Sequence, residues 1–495
     1  MLHRVAAVRR PSAAALVTVS LVTECAVLVP WLYGRGEPLD EGALLSYGDL
    51  VFRGYLPGRD LRTFYGPLNS YVVGAALWVS GGSFYAERLV GLAYQLTIAA
   101  ALLLLVRPRG RMAVVAATGL LVVLPPESLS ATAVRGASAA SCVAVLAASR
   151  RRPFLAGAAA GFAVGLRYDW AVPLALAAIP WLVGRPRRER LRLLASSAGF
   201  TGLIYVPYLV LLGPTDIRYA WRLLHAAELG RRKGLPAVTT PTGSLFYLVV
   251  VAIGVLLVVG FARRATTDGK VFLSIALMSA GLIPYMAWTA NRTHVLTGGV
   301  APVVLCAAAA PALLEEVRGY PRRWLLLGGC AALAVAPLAY QTVAAAIPPS
   351  TPLFPPKAYA VTYHGRMFRL DNPEEAAAAQ VTVRRAAALS PHGGRLFVGP
   401  GDLADPGYAD AYLYYLLANR LRPATFFIVF DPGTASLAPH RLADELPRAD
   451  VVVLNRSERT ETSQSGPGAA QVLARDFCIR GMFGSFSVYA RCRSG

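Results

Sequence analysis

The sequence predicts an all-α polytopic membrane bundle of about eleven transmembrane helices, with interfacial helices in its first outer loop, followed by a small C-terminal extracytoplasmic α/β domain. Three observations lead there. The 495 residues are 55% hydrophobic and only 16% charged, with a mean hydropathy of +0.47, more apolar surface than a water-soluble chain of this length buries. Arginine clusters punctuate the apolar runs at regular intervals. Beyond a Pro-rich link, IPPSTPLFPPK at 347–357, the composition turns polar.

Apolar runs place spans at 12–33, 84–106, 112–126, 131–148, 153–166, 170–184, 193–213, 242–261, 271–290, 295–314 and 324–345. The basic clusters between alternate spans (Arg107 to Arg111, Arg150 to Arg152, Arg185 to Arg192, Arg263 to Lys270, Arg318 to Arg323) mark cytoplasmic loops. MLHRVAAVRR and the run behind it have no small-residue cleavage site, so the first helix is retained, with Arg4, Arg9 and Arg10 inside. An odd number of crossings then puts everything after about residue 346 outside. The run 67–80 is too short for a comfortable span, and counting it would move Arg107 to Arg111 outside, so it is assigned to the outer interface.

Residues 1–346 thus form the transmembrane domain, 347–357 a linker and 358–495 the α/β domain. In the tail, 374–389 and 408–419 read as helices and 395–398, 425–430 and 451–454 as strands, with a closing hairpin around Gly481 to Gly484. Cys25, Cys142, Cys306 and Cys330 lie in apolar runs as small hydrophobes, whereas Cys478 and Cys492 are placed to pair if the tail meets an oxidising compartment. The net charge of +21 does not imply a nucleic-acid partner, because the basic residues punctuate spans rather than gather on a soluble face.

The charges predicted to lie outside are the informative ones. In PLDEGALLSYGDLVFRGYLPGRD, Asp40 and Glu41 open a helix in which Leu44, Tyr47 and Val51 share one face and Ser46, Asp49 and Arg53 another, the pattern of an amphipathic interfacial helix. Carboxylates at such a start either cap the helix or act on a substrate. An ionised carboxylate within reach of an acceptor hydroxyl can take its proton. Arg167, Arg218, Arg222, Arg231, Arg232, Lys233, Arg292 and His294 supply cations for a phosphate. The plainer alternative for each is a snorkelling side chain beside lipid headgroups, and for Arg167 an internal ion pair with Asp169. GPGD at 399–402 is no phosphate loop, no GxSxG or HExxH occurs, and His294 has no second ligand at zinc spacing.

LDEG, the helix behind it, and GYLPGRDLRTFYGPLNSY resemble the first outer loop of the C-superfamily polytopic membrane glycosyltransferases, among them protein O-mannosyltransferases, lipid A aminoarabinose transferases and bacterial arabinosyl- and mannosyltransferases. Asp40-Glu41 matches their acidic motif, Gly54 to Asp60 their G-x5-D stretch, and Gly66-Pro67-Leu68 the segment before the second helix. GLRYDW is similar to a later Arg- or Lys-bearing motif, and NRTH to an Arg-x-Asp-x-x-His pattern from which the Asp is missing. The resemblance implies a sugar on a polyprenyl phosphate, transferred with inversion to a glycan, lipid or protein hydroxyl at the outer face of the plasma membrane. It assigns Asp40 as general base, with Glu41 and Asp60 beside it, and outer-loop cations as the donor-phosphate clamp. Asp169, Tyr65 and Asn69 are expected to support that site.

No cofactor is implied, although the acidic loop leaves room for a divalent cation without fixing a ligand spacing. A transporter or lipid-linked sugar flippase would show inverted repeats and broken helices, which the sequence does not display. A non-catalytic envelope scaffold would depend on the tail and not on Asp40.

Overall fold

The structure, a computed structural model, describes residues 12–63, 65–124, 128–230, 235–237, 240–289, 292–317, 355–390, 392–403, 409–429, 439–456 and 468–492. Helices occupy the first ten predicted spans: α1 (Ala13–Leu28), α4 (Phe84–Val106), α5 (Arg111–Val123), α6 (Ala133–Ser149), α7 (Pro153–Leu166), α8 (Ala171–Leu182), α9 (Arg187–Gly230), α10 (Pro241–Ala262), α11 (Thr267–Gly281) with α12 (Ile283–Thr289), and α13 (Arg292–Val317). Between α1 and α4 lie α2 (Asp40–Phe52) and α3 (Pro67–Val79). Among the described residues, five helices are long and apolar enough to cross a membrane. The eleventh predicted span and most of the Pro-rich link fall outside the described residues.

Two spans differ from expectation. The seventh runs past its predicted end at residue 213: Gly213, at φ 73° and ψ 166°, breaks the helical path ahead of Pro214, and the helix resumes to Gly230. The ninth is divided at Leu282, so that α11 and α12 are separate helices.

The tightest helix contact in the bundle is built from small residues. Gly157, Gly161 and Gly165 recur every fourth position of α7, on one face, and bring α9 against its backbone. A Cβ on Gly157 would stand 2.1 Å from the Leu193 carbonyl oxygen, and one on Gly161 2.6 Å from that of Ser197. This contact sets α7 in place, and with it Arg167, the residue that follows its last turn.

The C-terminal domain holds a five-stranded sheet in the order β4-β3-β5-β7-β6, built from β3 (Arg395–Pro400), β4 (Arg422–Pro423), β5 (Val451–Asn455), β6 (Phe477–Phe483) and β7 (Phe486–Arg491). β4, β3 and β5 are parallel and β7 and β6 antiparallel. Side-chain alternation sends Leu396, Val398, Val451 and Val453 into one core and Phe397, Val452 and Leu454 into another. A helix, α14 (Pro373–Leu389), packs on the sheet; the Asn372 side chain caps it by accepting from the amides of Glu374 and Glu375. Cys478 and Cys492 form a disulfide joining the outer ends of the β6–β7 hairpin.

Four expectations need correction. The tail begins with an antiparallel hairpin, β1 (Tyr359–Tyr363) and β2 (Arg366–Leu370), whose turn residues His364 and Gly365 have φ of 46° and 79°; this strand pair was not foreseen. The helix expected at 408–419 is shorter, α15 (Tyr412–Leu417). The apolar stretch expected as a strand at 425–430 is not one over its described residues 425–429, because the Glu445 carboxylate takes the Phe426 amide at 2.9 Å and the Thr425 hydroxyl at 2.8 Å in place of a ladder partner.

Finally, α2 does not leave its polar face to water, as an amphipathic surface helix would. It is buried almost throughout between α3 and the C-terminal domain, and its apolar residues Ala43, Leu45, Tyr47 and Leu50 share one core with β3, β5 and β7. Its polar face is met by protein: Ser46 donates to the Ala411 carbonyl at 2.9 Å, Asp49 pairs with Arg366, and Arg53 donates to the Asn419 side-chain oxygen at 2.7 Å.

Gly161→Val forces a branched side chain into the α7–α9 contact and is expected to cost about 1–3 kcal/mol. Its melting temperature in detergent should fall by several degrees, while Gly199→Ala, whose added Cβ meets nothing within 4 Å, should leave it unchanged or slightly higher. Equal melting of the two variants would mean that the glycine stripe does not hold these helices together.

Candidate active site

The segment between α1 and α4 is anchored by one buried guanidinium. Arg88, in the second turn of α4, donates from Nε to Glu41 Oε1 at 2.6 Å and from Nη2 to Oε2 at 3.0 Å, and the two side chains are 1% and 0% exposed. Its Nη1 reaches the carbonyls of Trp31, Leu32 and Gly34 at 2.8, 3.1 and 3.1 Å, and Nη2 also reaches that of Arg35. These are the last turn of the first span and the chain leaving it, where carbonyl dipoles favour a cation. The second carboxylate oxygen of Glu41 accepts from the Glu37 amide at 3.1 Å, and the Glu37 carbonyl accepts from the amides of Glu41 and Gly42. The turn that starts α2 is thereby fixed.

Glu41 is therefore held as a structural anchor and has no free edge to offer a substrate, which removes it from the catalytic assignment made with Asp40. Asp40 lies one residue away on a different side of the helix start and is exposed. Its charge acts on Glu37, on the Tyr47 hydroxyl and on the Tyr285 hydroxyl of α12. Glu37 is solvent-accessible yet crowded by protein, and this partial burial, reinforced by the charge of Asp40 and partly offset by Arg35, raises its carboxyl to about 7.

The turn between α7 and α8 supplies a cation. Arg167 donates from Nε to both oxygens of Asp169, at 2.8 and 2.9 Å, which leaves its two Nη groups out of that pair. Its guanidinium is set among the rings of Tyr285, Trp170 and Tyr65, with centroids at 4.7, 5.5 and 5.8 Å. The Tyr285 ring in turn stands 4.7 Å from the imidazole of His294. Asp40, Tyr65, Arg167, Asp169 and His294 are thus linked through Tyr285, although they come from α2, the first loop, the α7–α8 turn and α13.

Other predicted residues lie elsewhere. Asp60 accepts from the Leu56 amide at 2.7 Å and pairs with Arg59 at 2.9 Å; burial would raise its pKa, but these two partners outweigh it and hold the carboxyl low. It closes its own turn. Asn69 is buried and donates to the Ala131 carbonyl at 3.0 Å, tying α3 to the segment that leads into α6. Arg218 and Arg222 are exposed on the part of α9 beyond Gly213, and Arg292 starts α13. Arg231, Arg232 and Lys233 fall outside the described residues. Asp40, Glu41 and Asp60 do not converge, and among the described residues no three His, Cys, Asp or Glu side chains are gathered as for a metal ion. Reading the sequence missed Glu37, Arg88 and Tyr285. Glu37 stands one helical turn before Asp40 and was open to detection by that spacing; the other two carry no local signal.

With this geometry, comparison with known structures is decisive for the fold. ArnT from Cupriavidus metallidurans bound to undecaprenyl phosphate superposes with a TM-score of 0.54 at 16% identity, over 97% of this chain and 98% of that one. The chain shares the fold of this membrane protein. ArnT in the apo state gives 0.53 at 15% identity over 98% and 99% of the two chains. The Archaeoglobus fulgidus oligosaccharyltransferase in its apo form gives 0.50 at 12% identity, over 97% of this chain and 74% of that one. No family model matches the sequence, and no curated protein does. The likeness to ArnT runs along nearly the whole length of both chains, so the clamped position of α2 is seen within a fold matched from end to end.

Breaking the buried pair from either side leaves an uncompensated charge. Glu41→Gln and Arg88→Met are each expected to cost about 3–5 kcal/mol, read as a lowered melting temperature, while Glu41→Leu/Arg88→Met loses less than the two single changes summed. A fully stable Glu41→Gln protein would show that the pair is not the anchor.

Proposed function

We propose that the protein is a membrane glycosyltransferase that moves a sugar from a polyprenyl-phosphate donor to an acceptor hydroxyl on a cell-envelope glycan, lipid or protein, at the extracytoplasmic face and with inversion. What supports this is that exposed Asp40 and ring-enclosed Arg167 both act electrostatically on the Tyr285 hydroxyl, in a fold shared with ArnT bound to undecaprenyl phosphate. A base and an anion-binding group on opposite sides of one small space are what displacement at an anomeric carbon requires.

In the proposed step the acceptor oxygen attacks the anomeric carbon and gives its proton to Asp40. The bond from that carbon to the phosphate oxygen breaks, and the electron pair leaves on the phosphate, which Arg167 receives through its Nη groups. One in-line displacement inverts the configuration, and positive charge developing on the sugar ring is stabilised by the nearby carboxylate. Asp169 and the three aromatic rings keep the guanidinium aimed, because two contacts to Nε fix the plane in which the Nη groups lie. The extracytoplasmic placement is supported by the Cys478–Cys492 disulfide on the C-terminal domain and by the arginine-rich turns at the opposite end of the bundle.

Purified Asp40→Asn is expected to keep its melting temperature and lose about 10²- to 10⁴-fold in transfer rate; normal transfer by a folded Asp40→Asn protein would remove Asp40 as the base. Arg167→Ala should weaken binding of undecaprenyl phosphate by about tenfold or more, as the loss of a charged hydrogen bond of roughly 1.5–3 kcal/mol implies. Unchanged affinity would leave Arg167 with the Asp169 ion pair alone.

A further inference from the structure

One of the contacts by which the C-terminal domain covers α2 has a buried acid at its head. The chain leading into α15 runs past the start of α2 at backbone distance: a Cβ on Gly42 would lie 2.4 Å from the Tyr412 amide nitrogen. The Tyr412 amide donates to the Pro38 carbonyl at 3.3 Å, and the Ala411 carbonyl accepts from the Ser46 hydroxyl at 2.9 Å. The Tyr412 ring, fully buried, stacks on Phe368 of β2 at 4.5 Å.

Asp410 opens this piece of chain. It is 2% exposed, and its carboxyl accepts from the side-chain amide of buried Asn455, at the end of β5, at 2.6 Å. The charged group that acts on it is a second acid, Glu375 in the first turn of α14, whose own carboxyl is raised by burial and by the charge of Asp371. The Tyr412 hydroxyl, on the same piece of chain, feels the charge of Asp410 in turn. Among the described residues no cation balances it. A carboxyl withdrawn from water beside one amide and a like charge favours its neutral form. Burial, reinforced by Glu375 and partly offset by Asn455, pushes the Asp410 carboxyl up to about 7.

We propose that Asp410 is a proton-held latch between the C-terminal domain and α2: while its carboxyl is neutral, residues 410–412 stay seated on the start of α2, and loss of the proton frees them. The charge reaches water only if this segment lifts, and the segment carries its contacts to α2 away with it. Those contacts flank Asp40, at Pro38 on one side and at Gly42 and Ser46 on the other. The proton on Asp410 thus governs how firmly the start of α2 is enclosed. The latch does not depend on the proposed transfer reaction, and its test reads no activity.

Linkage fixes the direction. The seated acid titrates at about 7 and the lifted one near the ordinary aspartate value of about 3.9. The seated state therefore has its full advantage below about pH 4, loses it as the pH rises to about 7, and loses no more beyond.

The test is hydrogen–deuterium exchange, read by mass spectrometry on the full-length protein in detergent between pH 5 and pH 8, with each amide corrected for its intrinsic exchange rate. Peptides covering 409–417 and 40–46 should show an opening constant that rises about 10²-fold across that range, most of it before pH 7. Asp410→Asn, which still offers Asn455 an acceptor and cannot ionise, should flatten the rise in both peptides. Asp444→Asn, exposed in the same domain, should keep it. If Asp410→Asn does not fold, Glu375→Gln serves in its place: with the like charge gone, the rise should be smaller and level off at a lower pH. A wild-type opening constant that does not change with pH, an Asp410→Asn profile equal to wild type, or a Glu375→Gln profile that does not move would each overturn the latch.

Discussion

The candidate site hangs on the Arg88–Glu41 contact. A guanidinium and a carboxylate withdrawn from water are tolerated only when nearly every donor and acceptor is matched. Here the guanidinium spends its remaining donors on four carbonyls at the end of the first span and in the chain leaving it, while the second carboxylate oxygen also takes the Glu37 amide. Three pieces of chain meet at that point: the exit of the first span, the start of α2 and the start of α4. A neutral pair of similar volume would pack as well but would not fix the direction in which α2 leaves, because apolar contacts lack the fork geometry of a bidentate ion pair.

Once α2 is aimed, the other site elements find their places by close approach rather than by further charge. Gly66, before α3, sits so near the end of α7 that a Cβ there would lie 2.2 Å from the Gly165 carbonyl oxygen, and the Gly66 amide donates to the Leu166 carbonyl at 3.0 Å. This brings the Tyr65 ring beside Arg167, 5.8 Å from its guanidinium. The same α7 backbone is pressed against α9 on its other flank. The candidate site is thus seated on backbone contacts that only glycine permits, and its polar groups are suspended from a rigid frame.

Much of this was legible in the sequence because it follows from local pattern. The helices at the first ten predicted spans follow from the length of apolar runs, and the Asp169 partner of Arg167 is two residues away. Asp40 stood out because a carboxylate opened a helix just after a span. What was hidden depends on contacts distant in the chain. Glu41 looked equivalent to Asp40 until its partner appeared 47 residues later, and Tyr285 entered only because α12 folds back over Arg167. The polar stripe of Ser46, Asp49 and Arg53 gave α2 the look of a surface helix, yet it is matched by Ala411, Arg366 and Asn419 more than 300 residues on. Over 425–429 a strand-like composition lost to one carboxylate that offered the backbone a better partner. Gly213-Pro214 read as a helix end, whereas the structure uses it as a break within α9.

The enclosure of α2 also has a consequence for how the molecule is made. Synthesis delivers α2 among the first fifty or so residues, but the strands and helix that cover its polar face come from residues 359–419. Through most of translation the helix carrying Asp40 has its Arg88 tether and α3 but lacks its outer wall. The candidate centre is therefore assembled from the oldest and the youngest parts of the chain, and a nascent protein halted before the C-terminal domain has all of its acidic and arginine site residues but an unfinished chamber around them.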